Sequence, residues 1–288
     1  MTCHDQVENL KKRGPVSRRM EATKRGDVAI GYDRVGPEDA ETIVFLERLG
    51  YSRWMYNWQR RDFEERYELL VPDNRGTGAS SEPEGPYTIA EMAADLEAVL
   101  ADAGADTAHL VGAEMGGMIA LQYALEYDRA VSLTLMATHP GGPDAKSTPE
   151  SVRERLFDPR PDIDEEARIR KRLEPMLSDS YRDRYAEIVD QIVEWRVQSD
   201  ASERARDWQA AAIEDFDVSD RLEDIALPTL VMSPTGDEVV PPENGELLAE
   251  RLPNAELLTF RNAPHLFFIE EAIQVNEHLA MFLADVET

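Results

Sequence analysis

The stretch His109-Leu110-Val111-Gly112-Ala113-Glu114-Met115-Gly116-Gly117-Met118-Ile119-Ala120-Leu121 sets the tightest limit on what this chain can fold into. An apolar run ends among small residues at 112, 116 and 117, and a helix-forming segment follows at once, so the stretch reads as strand, tight turn, helix. The glycines of the G-x-E-x-G spacing lack the Cβ that would block so sharp a reversal. They leave Glu114 at the apex, its side chain projecting at the edge of a sheet.

The flanking chain agrees. Glu21–Lys24 and Val28–Tyr32, joined at Arg25-Gly26-Asp27, read as a hairpin, and Thr42–Leu46, Leu69–Val71 and Val131–Met136 as buried strands. A helix is expected from about Ser52 to Arg66, with Trp54, Trp58 and Phe63 at core spacing. A second runs from Thr88 to Ala103, where Thr88 and Glu91 form a capping box. Gly141-Gly142-Pro143 interrupts the alternation. No strand signal appears between Pro149 and about Phe216, and helical patterns run through Val152–Leu156, Ala167–Leu177 and Tyr181–Val197. The sheet resumes at Thr229–Met232 and Ala255–Phe260, with helices at Glu243–Arg251 and about Ile269–Leu283. Strands alternating with helices predict an α/β fold with a mostly parallel, doubly wound sheet. The expected division is a core over 20–140 and 217–288, a helical insertion over 141–216 and a disordered basic tail over 1–19.

Composition narrows the partners. A net charge of −27 argues against nucleic acid and anionic membranes, which call for a basic face. Lysine occupies only positions 11, 12, 24, 146 and 171, leaving arginine the other 26 of 31 basic residues. Many carboxylates with few lysines resemble proteins of salt-accumulating microbes, in which screening relieves surface repulsion. The lone Cys3 allows no intramolecular disulfide, and the start of the chain lacks a signal peptide's apolar centre, so a cytoplasmic protein is expected. The oligomeric state is not readable.

In open α/β sheets ligands bind beyond the carboxyl ends of the strands, where Glu47, Glu114, Asp237 and His265 fall. The elbow G-A-E-M-G-G, the loop D-N-R-G-T-G-A-S at 73–80, the acid in G-D-E-V-V-P and the histidine in P-H-L occur in one order. Together they resemble the α/β-hydrolase family, in its esterase and lactonase-like branch, from about Met20 onward. The resemblance implies Asp237 as triad acid, His265 as base, Glu114 in the nucleophile's place, and the backbone N–H groups of Met115 and Leu49 as oxyanion donors. It also implies that 141–216 caps the active site.

Three departures stand out: glutamate replaces the elbow serine, Ala113 stands where the family often has histidine, and Glu47-Arg48 replaces the family's usual His-Gly. An elbow carboxylate attacks alkyl carbons, as family members with aspartate there do, leaving an ester for a His-activated water to hydrolyse. The competing reading is a Glu114–Arg48 ion pair filling a disused oxyanion hole in a protein that only binds a small ligand or partner. No H-x-x-E-type spacing links Glu47, Glu114 and His265, so neither metal nor cofactor is expected. His4, His109, His139 and His278 sit in no motif. A small-molecule substrate is the expected partner.

Overall fold

The structure, a computed structural model, describes residues 19–158 and 162–286. The expected tail lies outside the described residues apart from Arg19, which opens the first strand. Strands β1 (Arg19–Arg25) and β2 (Val28–Val35) form the hairpin, followed by β3 (Thr42–Leu46), β4 (Glu68–Pro72), β5 (Ala108–Ala113), β6 (Ala130–Met136), β7 (Thr229–Pro234) and β8 (Ala255–Phe260). They make one eight-stranded sheet in the order β1-β2-β4-β3-β5-β6-β7-β8. β2 pairs antiparallel with both β1 and β4, and every other pairing is parallel.

The central strands are buried on both faces. Ile43 and Phe45 of β3 enter one apolar core and Val44 and Leu46 the other; Val111 and Ala113 of β5 divide from Leu110 in the same way. This period of two explains why these strands read as continuous apolar runs rather than alternating ones. Each fully buried aliphatic side chain is worth about 1.5–3 kcal/mol, so a one-residue slip of β5 would forfeit several of them at once.

Helix α1 (Asn57–Phe63) is shorter than the periodicity predicts. Arg53–Tyr56 forms a 3-10 turn ahead of it, and the Arg53 N–H donates 3.1 Å to Asp73 Oδ1. Helix α2 (Ile89–Ala103) carries the full capping box of Thr88 and Glu91 and ends on Gly104 in the left-handed region, as its composition dictates. Helix α3 (Met115–Glu126) follows β5 after a single residue. Between β6 and β7 lie α4 (Glu150–Phe157), α5 (Glu165–Leu173), α6 (Asp179–Arg184), α7 (Ala186–Ser199) and α8 (Glu203–Glu214). Helix α9 (Glu243–Arg251) matches its expected bounds, and the C-terminal helix divides at Glu271 into α10 (Phe267–Glu270) and α11 (Ala272–Val286). No helix among the described residues is long and apolar enough to cross a membrane.

Candidate active site

Glu114 joins β5 to α3 with φ 49° and ψ −111°, a conformation that costs a non-glycine residue about 1–3 kcal/mol. Its neighbours hold it there. The Glu114 N–H donates 2.9 Å to the Met136 carbonyl, while the Glu114 carbonyl accepts from Gly117 N–H, Met118 N–H and the Thr138 hydroxyl at 3.0, 3.2 and 2.6 Å. The flanking glycines are a packing requirement. A Cβ on Gly112 would stand 2.3 Å from the Gly116 carbonyl oxygen, and one on Gly116 would stand 2.1 Å from that of Leu46.

The Glu114 carboxylate is buried and doubly held. Arg48 Nη2 donates to Oε1 at 2.9 Å and the Leu49 backbone N–H to Oε2 at 2.8 Å, while His265 Nε2 lies 3.9 Å from Oε1. Burial by itself pushes the carboxyl up. Arg48 opposes this most strongly, followed by His265 and the Leu49 N–H, and the net result holds Glu114 below its ordinary value as a carboxylate.

Asp237 and His265 stand beyond the ends of β7 and β8. His265 Nδ1 and Asp237 Oδ2 are 2.8 Å apart, and the other Asp237 oxygen accepts from Val239 and Val240 N–H at 2.7 and 2.9 Å. With Oδ1 filled by two backbone donors, Oδ2 is the oxygen left to hold Nδ1, and Nε2 is the ring nitrogen turned toward Glu114. Nε2 itself is buried with no hydrogen-bond partner among the described residues.

A cavity of about 290 Å³ opens beside this group, and Glu114, Arg48 and Leu49 are on its wall. Asp237 and His265 lie behind Glu114 rather than on the wall, and Met115 is buried at the start of α3. Glu47 is placed elsewhere. It is fully buried off the cavity, with Oε2 accepting from Asn74 N–H at 3.2 Å. Burial, reinforced by Asp73, pushes its carboxyl well above the ordinary carboxylate value. The D-x-R-G loop is likewise structural in its charged residues. Asp73 accepts from Ala79 N–H at 2.8 Å and pairs with Arg53, and Arg75 makes a two-pronged pair with Asp95 at 2.7 and 3.0 Å.

Sequence reasoning missed most of the wall, including a histidine and three buried or half-buried arginines. His139 lines the cavity just past the end of β6, and burial lowers its pKa. Its place after a parallel strand was a usable signal. Arg172, Arg196 and Arg206 reach the wall from α5, α7 and α8. In sequence these arginines look like the solvated faces of charged helices, and no local pattern separates them from their exposed neighbours.

A mostly parallel sheet with a strained elbow residue and an Asp–His pair at its strand ends is the architecture of a hydrolase scaffold. The chain belongs to the alpha/beta hydrolase family, whose model matches residues 49–278. 3-Oxoadipate enol-lactonase 2 of Acinetobacter baylyi is 27% identical over 249 residues, covering 85% of this chain and 89% of the relative. The solved enol-lactonase of Burkholderia xenovorans LB400 superposes with a TM-score of 0.81 at 25% identity, covering 92% of this chain and 100% of that one. Est816, described as an N-acyl homoserine lactone degrading enzyme, superposes with a TM-score of 0.76 at 27% identity, covering 91% and 100%.

Proposed function

We propose that this chain is a hydrolase in which the Glu114 carboxylate attacks an alkyl carbon of a small organic substrate and His265, oriented by Asp237, activates the water that releases the product. The observation that carries the reading is the split hold on the carboxylate. Oε2 rests on the Leu49 N–H, the donor that would meet an oxyanion, and Oε1 is the oxygen nearest His265. In the first step Oε1 forms a bond to the alkyl carbon and the leaving group departs with its electron pair. Water then adds to Cδ of the resulting ester, its proton passing to His265 Nε2, and negative charge gathers on Oε2 against the Leu49 N–H. Collapse breaks the Cδ–Oε1 bond, the electron pair leaves with Oε1, and His265 returns the proton to that oxygen, which frees the alcohol and regenerates the base. Attack on an acyl carbon would instead give an anhydride, a high-energy intermediate, so the reacting carbon differs from the lactone carbonyls that the relatives' names imply. The helices between β6 and β7 serve as the cap over the cavity.

A second reading rests on the Arg48 pair. A carboxylate held at 2.9 and 2.8 Å by two donors has its charge already satisfied, which suits a protein that binds a ligand without turning it over. Single turnover in ¹⁸O-water of a panel of epoxides and haloalkanes separates the two. The covalent route leaves the label in Glu114 and an unlabelled oxygen in the first product, and Glu114→Gln abolishes it. Label appearing only in product, or no turnover of any alkyl electrophile, would overturn the covalent reading.

A further inference from the structure

We propose that Arg172 and Arg206 form an anion subsite at the cap side of the cavity, and that the substrate therefore carries a carboxylate or phosphate group. The inference rests on the cavity being the substrate site, as in the function proposed above. The charges on the wall do not balance. Arg48 is paired with Glu114, Arg153 with Glu214, and Arg196 with Asp200, which lies just off the wall. Arg172, Arg206 and, in a more exposed position, Lys146 have no carboxylate within ion-pair distance among the described residues. The chain carries 58 carboxylates against 31 basic residues, so a shortage of acidic side chains does not explain these unpaired cations.

The two arginines are also held in place. Arg206 is 9% exposed, donates through Nη2 to the Leu156 carbonyl, lies 4.7 Å over the Phe157 ring and packs its methylenes against Gly50. One donor of Arg206 is thereby used, and its remaining N–H groups meet no acceptor among the described residues. Arg172 is partly buried, and its Nε has no acceptor among the described residues. Arg196 is different, because Asp200 at 2.6 Å and the Tyr51 hydroxyl at 2.9 Å already satisfy it. Gathering like charges in a half-dry space is unfavourable, and the titration of the group reflects it. Burial, then Arg172, Arg196 and Arg48, push Arg206 down to about 9, while burial and Arg196 lower Arg172. An oxyanion seated between two guanidinium groups removes that penalty and accepts the planar forks in their preferred geometry. Glu114 stands on the same wall as a carboxylate, so the ligand's anionic end is steered to the arginines and its reacting end is left for the elbow.

The test is calorimetric titration of the full chain, in dilute zwitterionic buffer, with inorganic phosphate, succinate and uncharged succinamide. One phosphate or succinate per chain is expected, with no uptake of succinamide, and the tighter of the two anions identifies the headgroup. Arg172→Gln and Arg206→Gln should each weaken uptake by about 10-fold or more, and Arg172→Lys, which keeps the charge, should restore part of it. Since Arg206 is buried, Arg172→Gln is the deciding variant if Arg206→Gln does not fold. No uptake of either anion at 10 millimolar, unchanged uptake by Arg172→Gln, or equal uptake of succinamide would each overturn the subsite. Glu114→Gln should retain uptake. Anion binding in a protein whose labelling experiment fails leaves the subsite standing and removes only the covalent mechanism, whereas label transfer with no preference for charged electrophiles does the reverse.

Discussion

Replacing Arg48 with methionine tests the electrostatics of the site most directly. The side chains of Arg48 and Glu114 are 4% and 9% exposed and meet at 2.9 Å, so Arg48→Met strands a buried carboxylate with only the Leu49 N–H and His265 as support. Removing one member of a buried pair costs about 3–5 kcal/mol. With an unfolding entropy of about 0.6 kcal/mol/K for a chain of 288 residues, the midpoint should fall by about 5–8 °C near pH 8. The loss should depend on pH. In the native chain Glu114 is held below its unfolded value, so its contribution is present above that value and disappears as pH falls through the folded one. In Arg48→Met burial dominates and the carboxyl moves above its unfolded value, so the variant is penalised at neutral pH and the penalty fades on acidification. The gap between the two proteins should therefore be widest from pH 7 to 8 and close toward pH 5. Arg48→Met with Glu114→Gln should recover most of it by removing the stranded charge. Calorimetric melts at constant ionic strength from pH 5 to 8 measure all of this. A loss below about 1 kcal/mol, or one that neither acidification nor Glu114→Gln relieves, would show that the pair is not what keeps Glu114 ionised.

Other outcomes follow from the same geometry. In His265→Ala the alkyl ester on Glu114 should accumulate, visible as an adduct in intact mass, and an unchanged rate without adduct would refute the base role. A fluorophosphonate probe should leave the elbow unlabelled, because no hydroxyl stands there; labelled peptide from residues 109–121 would contradict this. Gly116→Ala forces a Cβ to 2.1 Å from the Leu46 carbonyl oxygen and should cost at least about 2 kcal/mol, read as a lower denaturant midpoint. With −27 net charge, the melting temperature should rise between dilute buffer and multimolar potassium chloride; an equal or lower value would refute a surface adapted to salt.

Local chemistry made most of the architecture legible. The run from His109 to Leu121 determines a strand–elbow–helix because each glycine is needed by its immediate surroundings, and the Thr88–Glu91 capping box is decided within four residues. The order of Glu114, Asp237 and His265 could be read because each follows a strand, and parallel strands bring their ends to one edge. Only the tertiary structure decided which charges face the cavity. Glu47 and Arg48 are adjacent in sequence, yet one is buried off the cavity and the other is the countercharge of Glu114 on its wall. Arg172, Arg196 and Arg206 come from separate helices, and what distinguishes them from their exposed neighbours is helix packing, which no sequence pattern records. Burial and charge pairing act between groups far apart in the chain, and for that reason the order of the elbow, acid and histidine could be read in the sequence while the partner of each charge was decided by the fold.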